Sequence, residues 1–161
     1  MINAREESLV AKPAFKRLLV HRRCLIPADG FYEWRNDGKL KIPVRFTLTD
    51  DGLFAFAGLW DRWVRSDGGG LETFTIITTR ANETVSAMHD RMPAILPPQR
   101  WKEWLDPATA EVRWRSLLEP FPASEMRARD ANPVLNSPAV DSAECLSPPS
   151  PPAEVQMGLG L

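Results

Sequence analysis

The chain has 161 residues, 43% of them hydrophobic and 25% charged, with a formal net charge of −1. This is the composition of an ordinary globular domain with room for a real core, and its near-zero balance excludes a strongly basic nucleic-acid protein while leaving room for a local basic patch. Cys24 and Cys145 lie too far apart in sequence for a disulfide scaffold and point to a reducing compartment.

Residues 1–9 form a short lead carrying Asn3 and Arg5, with charges of both signs and no apolar run, so they do not read as a signal peptide. Pro13 suits a first helical turn, and Phe15, Leu18 and Leu19 then share one helical face. Lys16, Arg17, His21, Arg22 and Arg23 make the clearest basic cluster, either a solvated helix end complementing the dipole or a phosphate-contact surface. Leu25 and Ile26 begin a strand that Pro27-Ala28-Asp29-Gly30 turns. Phe31 to Arg35 is the next strand, closed by the hairpin signal Asn36-Asp37-Gly38. Ile42, Val44, Phe46 and Leu48 alternate as in a half-buried strand, and the apolar run from Leu53 to Trp60 reads as a central one.

After the glycine-rich loop at Gly68 to Gly70, Thr73 to Thr79 is a β-branched strand, Ala81 to Ala87 a short helix and Met92 to Leu96 a strand. Pro97-Pro98 opens a helix with Trp101, Trp104 and Leu105 on one face, and Trp114, Leu117 and Leu118 repeat that spacing in another. Met126 to Asp130 is a late strand. From Ser147 the chain is proline-rich and low in charge, which predicts a disordered tail over 147–161. No stretch is long and apolar enough to span a membrane. The expectation is one α+β domain over 1–146, with a mostly antiparallel sheet curled into a partial barrel and flanking helices.

Two short motifs hold groups that could do chemistry. In Cys24 to Trp34 Glu33 is a carboxylate inside a run that otherwise reads as buried strand, and it shares a strand face with Phe31 while Tyr32 and Trp34 take the other. Lost hydration beside aromatic surface raises a carboxyl pKa and suits an acid or base near neutrality. The alternative is a strand-end glutamate paired with an arginine. In His89-Asp90-Arg91-Met92-Pro93, one of the chain's two histidines sits between a helix and a strand, where a side chain faces a cleft. It is either a proton-exchange group or a ring held by Asp90 or a backbone carbonyl, and Arg91 either clamps a phosphate or pairs with Asp90. His21 and Cys24 have no second close pair with which to hold zinc. There is no G-x-S-x-G elbow and no glycine-rich phosphate loop after a strand. A Cys24–His89 thiol hydrolase is conceivable, but a cysteine opening an apolar strand is more often inert core. No metal and no cofactor is expected.

Five stretches, in order, resemble the SRAP domain family of abasic-site processing proteins: Asn3-Ala4-Arg5-Glu6, Arg23 through Trp34, Phe56-Ala57-Gly58-Leu59-Trp60, Thr75-Ile76-Ile77-Thr78-Thr79 and His89-Asp90-Arg91-Met92-Pro93. The resemblance implies a DNA-repair protein, cytoplasmic and nucleoid-associated, acting as a monomer on single-stranded DNA that carries abasic sites. It implies covalent capture by a cysteine directly after the initiator methionine, whose amine and thiol trap the opened sugar aldehyde as a thiazolidine. An α-amino group of pKa about 7.7–8.0 is partly uncharged at neutral pH, which the capture needs. The resemblance makes Glu33 the acid/base, His89 the group that assists ring opening and crosslink release, and Asn3 the residue that positions the sugar. Arg5 and Arg91 then face the DNA backbone, and Trp34 a base. Here Met1 is followed by Ile2, and the family's Met-Cys-Gly-Arg segment with its strands does not precede Asn3. The expectation is a chain without the nucleophile that exposes a sheet edge or apolar patch. A non-covalent single-stranded DNA-binding module and a cysteine-peptidase-like hydrolase are the competing readings.

Overall fold

The computed structural model describes residues 2–66 and 68–149. In chain order its elements are β1 (Asn3–Arg5), α1 (Pro13–His21), β2 (Arg23–Ala28), β3 (Phe31–Asp37), β4 (Leu40–Leu48), β5 (Phe54–Val64), β6 (Gly70–Arg80), α2 (Glu83–Ser86), β7 (Arg91–Pro93), β8 (Ile95–Leu96), α3 (Pro98–Leu105), α4 (Glu111–Ser116) and β9 (Met126–Asp130). A six-stranded sheet runs β1-β6-β5-β2, with β7 also on β6 and β8 also on β5. A three-stranded sheet runs β3-β4-β9. All pairings are antiparallel except β1 on β6, which is parallel. The fold is the expected α+β class; among the described residues the curl is divided between two sheets, and no barrel closes.

Alternation along β5 explains the layers. Ala55, Ala57 and Leu59 point one way, Phe54 and Phe56 the other. Ala57 and Leu59, with Ile77 and Leu96, pack under Phe15, Leu18 and Leu19 of α1, Trp104 of α3, Trp114 of α4 and the following Leu117 and Leu118. Phe54 and Phe56, with Met92 and Ile95, pack against Val44 and Phe46 of the smaller sheet. Phe31 stacks on Phe46 at 5.0 Å between centroids and meets Phe56 edge-on at 6.1 Å. Two cores therefore share the larger sheet, one under the helices and one between the sheets.

Several expectations change in detail. β2 runs through Pro27 to Ala28, so its turn is only Asp29-Gly30. The helix expected at 81–87 shortens to α2, where Asn82 caps by accepting the Val85 N–H at 3.1 Å. The strand expected over 92–96 breaks at Ala94, whose N–H bonds to Ile77 and whose C=O bonds to Ala57, both at 2.9 Å, so β7 and β8 pair with different strands. On α3, Trp104 is buried but Leu105 is 46% exposed, against the expected shared face. Of the proposed tail, residues 150–161 lie outside the described residues.

Candidate active site

Glu33 reaches the space between the sheets because it shares a strand face with Phe31. The two lie opposite Val44 and Phe46 of β4, both buried. On the larger sheet, β1 sets Asn3 beside Ile76 and Arg5 beside Thr78, while Ala4 between them is buried on the helix side. The chain after α2 brings back His89, and β7 brings back Arg91. Asn3, Arg5, Glu33, Thr78, His89 and Arg91 together line a cleft of about 460 Å³, with Phe31, Phe56 and Ile76 as its apolar wall. The β1 strand enters at this cleft: the Ile2 carbonyl accepts the Ile76 N–H and the Thr75 hydroxyl, each at 3.0 Å.

Burial pushes the Glu33 carboxyl above its ordinary value, and the nearby His89 opposes part of that rise. The carboxylate is thus shifted toward the range in which a proton is readily accepted and returned. The His89 Nδ1 lies 2.9 Å from the Arg91 backbone nitrogen, 3.1 Å from the Arg91 carbonyl oxygen and 3.3 Å from Asp90 Oδ1, so the ring is held within its own turn by the backbone and Asp90.

Arg91 pairs with Glu7 and not with Asp90. Its Nη1 donates to Glu7 Oε1 at 2.5 Å, and its Nη2 donates to the Thr78 carbonyl at 2.5 Å and hydroxyl at 3.3 Å. The Arg91 side chain is 12% exposed, and its Nε is buried without a hydrogen-bond partner. The Arg91 hydrogen bond holds the Glu7 carboxyl below its ordinary value, and Arg5 adds to the effect. Glu7 and Thr78 were not legible as site residues: Thr78 is one β-branched residue among several in a strand, and Glu7 one charge in a mixed run.

Trp34 lies apart from this cleft. It sits on the opposite face of β3, and its indole N–H donates to Asn136 Oδ1 at 2.8 Å. There it lines an open hollow of about 910 Å³ with Lys39, Lys41 and Pro138. That hollow is larger than the cleft but has no carboxylate or imidazole in its walls, so its size does not make it the reaction centre.

The basic cluster divides. Lys16 and His21 are exposed. Arg22 bonds Asp61 at 2.9 Å and lies 4.6 Å from the Trp60 ring centroid, and Arg17 meets the same carboxylate at 3.4 Å. Arg23 is buried and donates to the carbonyls of Leu19 (2.6 Å), Trp104 (2.5 Å) and Asp106. Arg23 therefore ties β2 to α1 and to the end of α3. Cys24 lines a different hollow from His89, and burial pushes its thiol up to about 11, which leaves little thiolate at neutral pH. Among the described residues, no three His, Cys, Asp or Glu side chains gather as a metal site, and no helix is long and apolar enough to cross a membrane.

A two-sheet scaffold whose cleft joins a buried-shifted carboxyl, an imidazole and arginines has close relatives. The model of the SOS response associated peptidase (SRAP) family matches residues 1–138, and the chain belongs to this family. It is 48% identical over 148 residues to the abasic site processing protein YoqW of Bacillus subtilis, covering 91% of this chain and 66% of the relative. To YoaM of the same organism, also named an abasic site processing protein, it is 50% identical, covering 91% and 65%. To the abasic site processing protein HMCES of Gallus gallus it is 34% identical, covering 91% and 49%. A crystal structure of a protein from Bacteroides thetaiotaomicron superposes with a TM-score of 0.84 at 33% identity, covering 91% of this chain and 65% of that one. The chain thus spans just under two thirds of the length of these bacterial relatives.

Proposed function

We propose that the cleft receives the ring-opened sugar of an abasic site in single-stranded DNA, and that the protein captures this lesion in DNA repair. The observation carrying the reading is the meeting of Asn3, Arg5, Glu33, His89 and Arg91 in one cleft, from segments far apart in sequence, in a chain whose relatives are named for abasic sites. In this reading Glu33 moves protons at the attacking amine and the sugar. His89 assists ring opening and, in reverse, crosslink release. Asn3 positions the sugar, Arg5 and Arg91 face backbone phosphates, and Trp34, beyond β3, stacks on a neighbouring base. The protein works as a monomer at the nucleoid.

Covalent capture balances as follows. An uncharged terminal amine condenses with the sugar aldehyde and releases water, giving an imine. A thiol on the same residue adds to the imine carbon, its proton passes to nitrogen, and a thiazolidine ring closes. In these 161 residues Ile2 follows Met1, and neither Cys24 nor Cys145 has a free amine beside it. The test compares a polypeptide of these residues with one that also carries Met-Cys-Gly-Arg at its start, each incubated with an abasic-site oligonucleotide. The extended polypeptide should give a heat-stable adduct on a denaturing gel. The shorter one should give only a hydrolysable imine, trapped by borohydride, with strand cleavage by β-elimination. A heat-stable adduct from the shorter polypeptide would overturn this reading and point to Cys24. In the extended polypeptide, Glu33→Gln should slow crosslinking by roughly 10²–10⁴-fold, and His89→Ala should slow ring opening and crosslink reversal. Unchanged rates in both would remove these roles.

A further inference from the structure

A carboxylate from outside the cleft lining already occupies Arg91, an arginine of the cleft wall that the proposed function offers to DNA. Glu7 Oε1 lies 2.5 Å from Arg91 Nη1, and the other guanidinium nitrogen, Nη2, is fixed by the Thr78 carbonyl and hydroxyl. Arg91 is 12% exposed and held on its other nitrogen by the strand, while Glu7 is 54% exposed and has solvent on its outer side. A carboxylate and a phosphodiester present the same chemistry to a guanidinium: a pair of anionic oxygens accepting N–H groups. Arg5 lies close enough to lower the Glu7 pKa as well, so the carboxylate sits in the field of both arginines.

We propose that Glu7 is a built-in counter-ion that holds the phosphate position at Arg91 in the free protein and is displaced by a DNA backbone phosphate. This rests on the single-stranded DNA reading above. Displacement sets the affinity: the phosphate gains Arg91 only by expelling a resident anion. It also sets the salt dependence. A phosphate that meets a bare arginine releases its condensed cation, whereas one that expels Glu7 leaves a new free carboxylate to attract a cation, and the net release is small.

The experiment measures binding of an abasic-analogue single strand by the 161-residue protein across salt concentrations. Glu7→Gln should bind about 3–10-fold more tightly at low salt, and its log–log salt slope should steepen by about 0.7, one single-strand phosphate's share. Glu7→Asp, which keeps the charge, should stay near wild type. Glu111→Gln changes net charge equally but loses a carboxylate paired with Arg115 at 2.8 Å, outside the cleft, and should not move the slope. In an Arg91→Gln background the gain from Glu7→Gln should vanish. Weaker binding by Glu7→Gln would make Glu7 a support for Arg91 and overturn the proposal, and an unchanged slope would reduce the pair to a surface contact. Inorganic pyrophosphate, followed through the Arg91 Nε–Hε resonance, reads the same anion position without DNA. Tighter pyrophosphate binding by Glu7→Gln in a protein that binds no DNA would uphold the counter-ion and overturn the DNA reading. No gain with either probe would overturn the counter-ion alone.

Discussion

Glu33 couples stability to the chemistry proposed for it. Its folded pKa lies above the unfolded value because burial disfavours the charge. The stabilising contribution of the neutral form is fully present below the unfolded pKa and is lost as pH rises through the folded pKa. Near neutral pH the wild type therefore carries an unfavourable half-buried charge. Glu33→Gln, neutral throughout, should melt higher than wild type at about pH 7, and the two melting temperatures should converge at about pH 4. A difference independent of pH would contradict this account. Arg23 is the opposite case, a charge whose donors meet three carbonyls. Arg23→Gln leaves buried carbonyls without donors and should cost about 2–4 kcal/mol in denaturant unfolding. If it unfolds no more easily than wild type, the three bonds are not holding β2 to the helices.

At the scale of elements, β5 is the strand that both cores share, and Gly58 is its tightest point. It pairs with Cys24 of β2 on one side and Ile76 of β6 on the other. A Cβ there would strike the Ile26 side chain and lie 3.0 Å from the Thr75 carbonyl and 3.1 Å from Cys24 Sγ. Gly58→Ala should therefore destabilise by about 1–3 kcal/mol through overpacking, read as a lower denaturation midpoint at unchanged slope. A midpoint equal to wild type would mean that β2 can shift without loss. The break at Ala94 is an element-scale feature of another kind: one residue bonds to both β6 and β5, and β7 is thereby free to carry Arg91 toward the cleft.

These 161 residues have a near-zero net charge, so the attraction to DNA that the proposed function requires has to be local. Within the basic cluster Arg22 pairs with Asp61 and Arg23 is bound to internal carbonyls, while Lys16 and His21 stay exposed; the phosphate contacts of the proposed function are the cleft arginines. Affinity for single-stranded DNA should fall as salt rises, by about 0.7 in log–log slope for a phosphate at Arg5, while the position at Arg91 adds little as long as Glu7 is present. Arg5→Gln should flatten that slope by one such share, and Arg22→Gln should leave it unchanged. Binding that is flat between low and physiological salt would remove the backbone-contact claim.

Alternation and helical spacing are local, so the sequence by itself determined the α+β class, most strands, the buried face of α1 and the aromatic surroundings of Glu33. Ordered motifs brought Asn3, Glu33, His89 and Arg91 into view one by one. Only the tertiary structure decided which of them meet. A strand of three residues, β1, carries no periodicity to read, yet its parallel pairing with β6 puts Asn3 and Arg5 in the cleft. The pleat that turns Glu33 inward turns Trp34 outward, so neighbours in sequence face different hollows. Partner choice was equally hidden: Arg91 stands next to Asp90 in the chain, but β7 and the turn after β1 bring it to Glu7, 84 residues away. Long-range pairing fixes such contacts, and no local spacing encodes them.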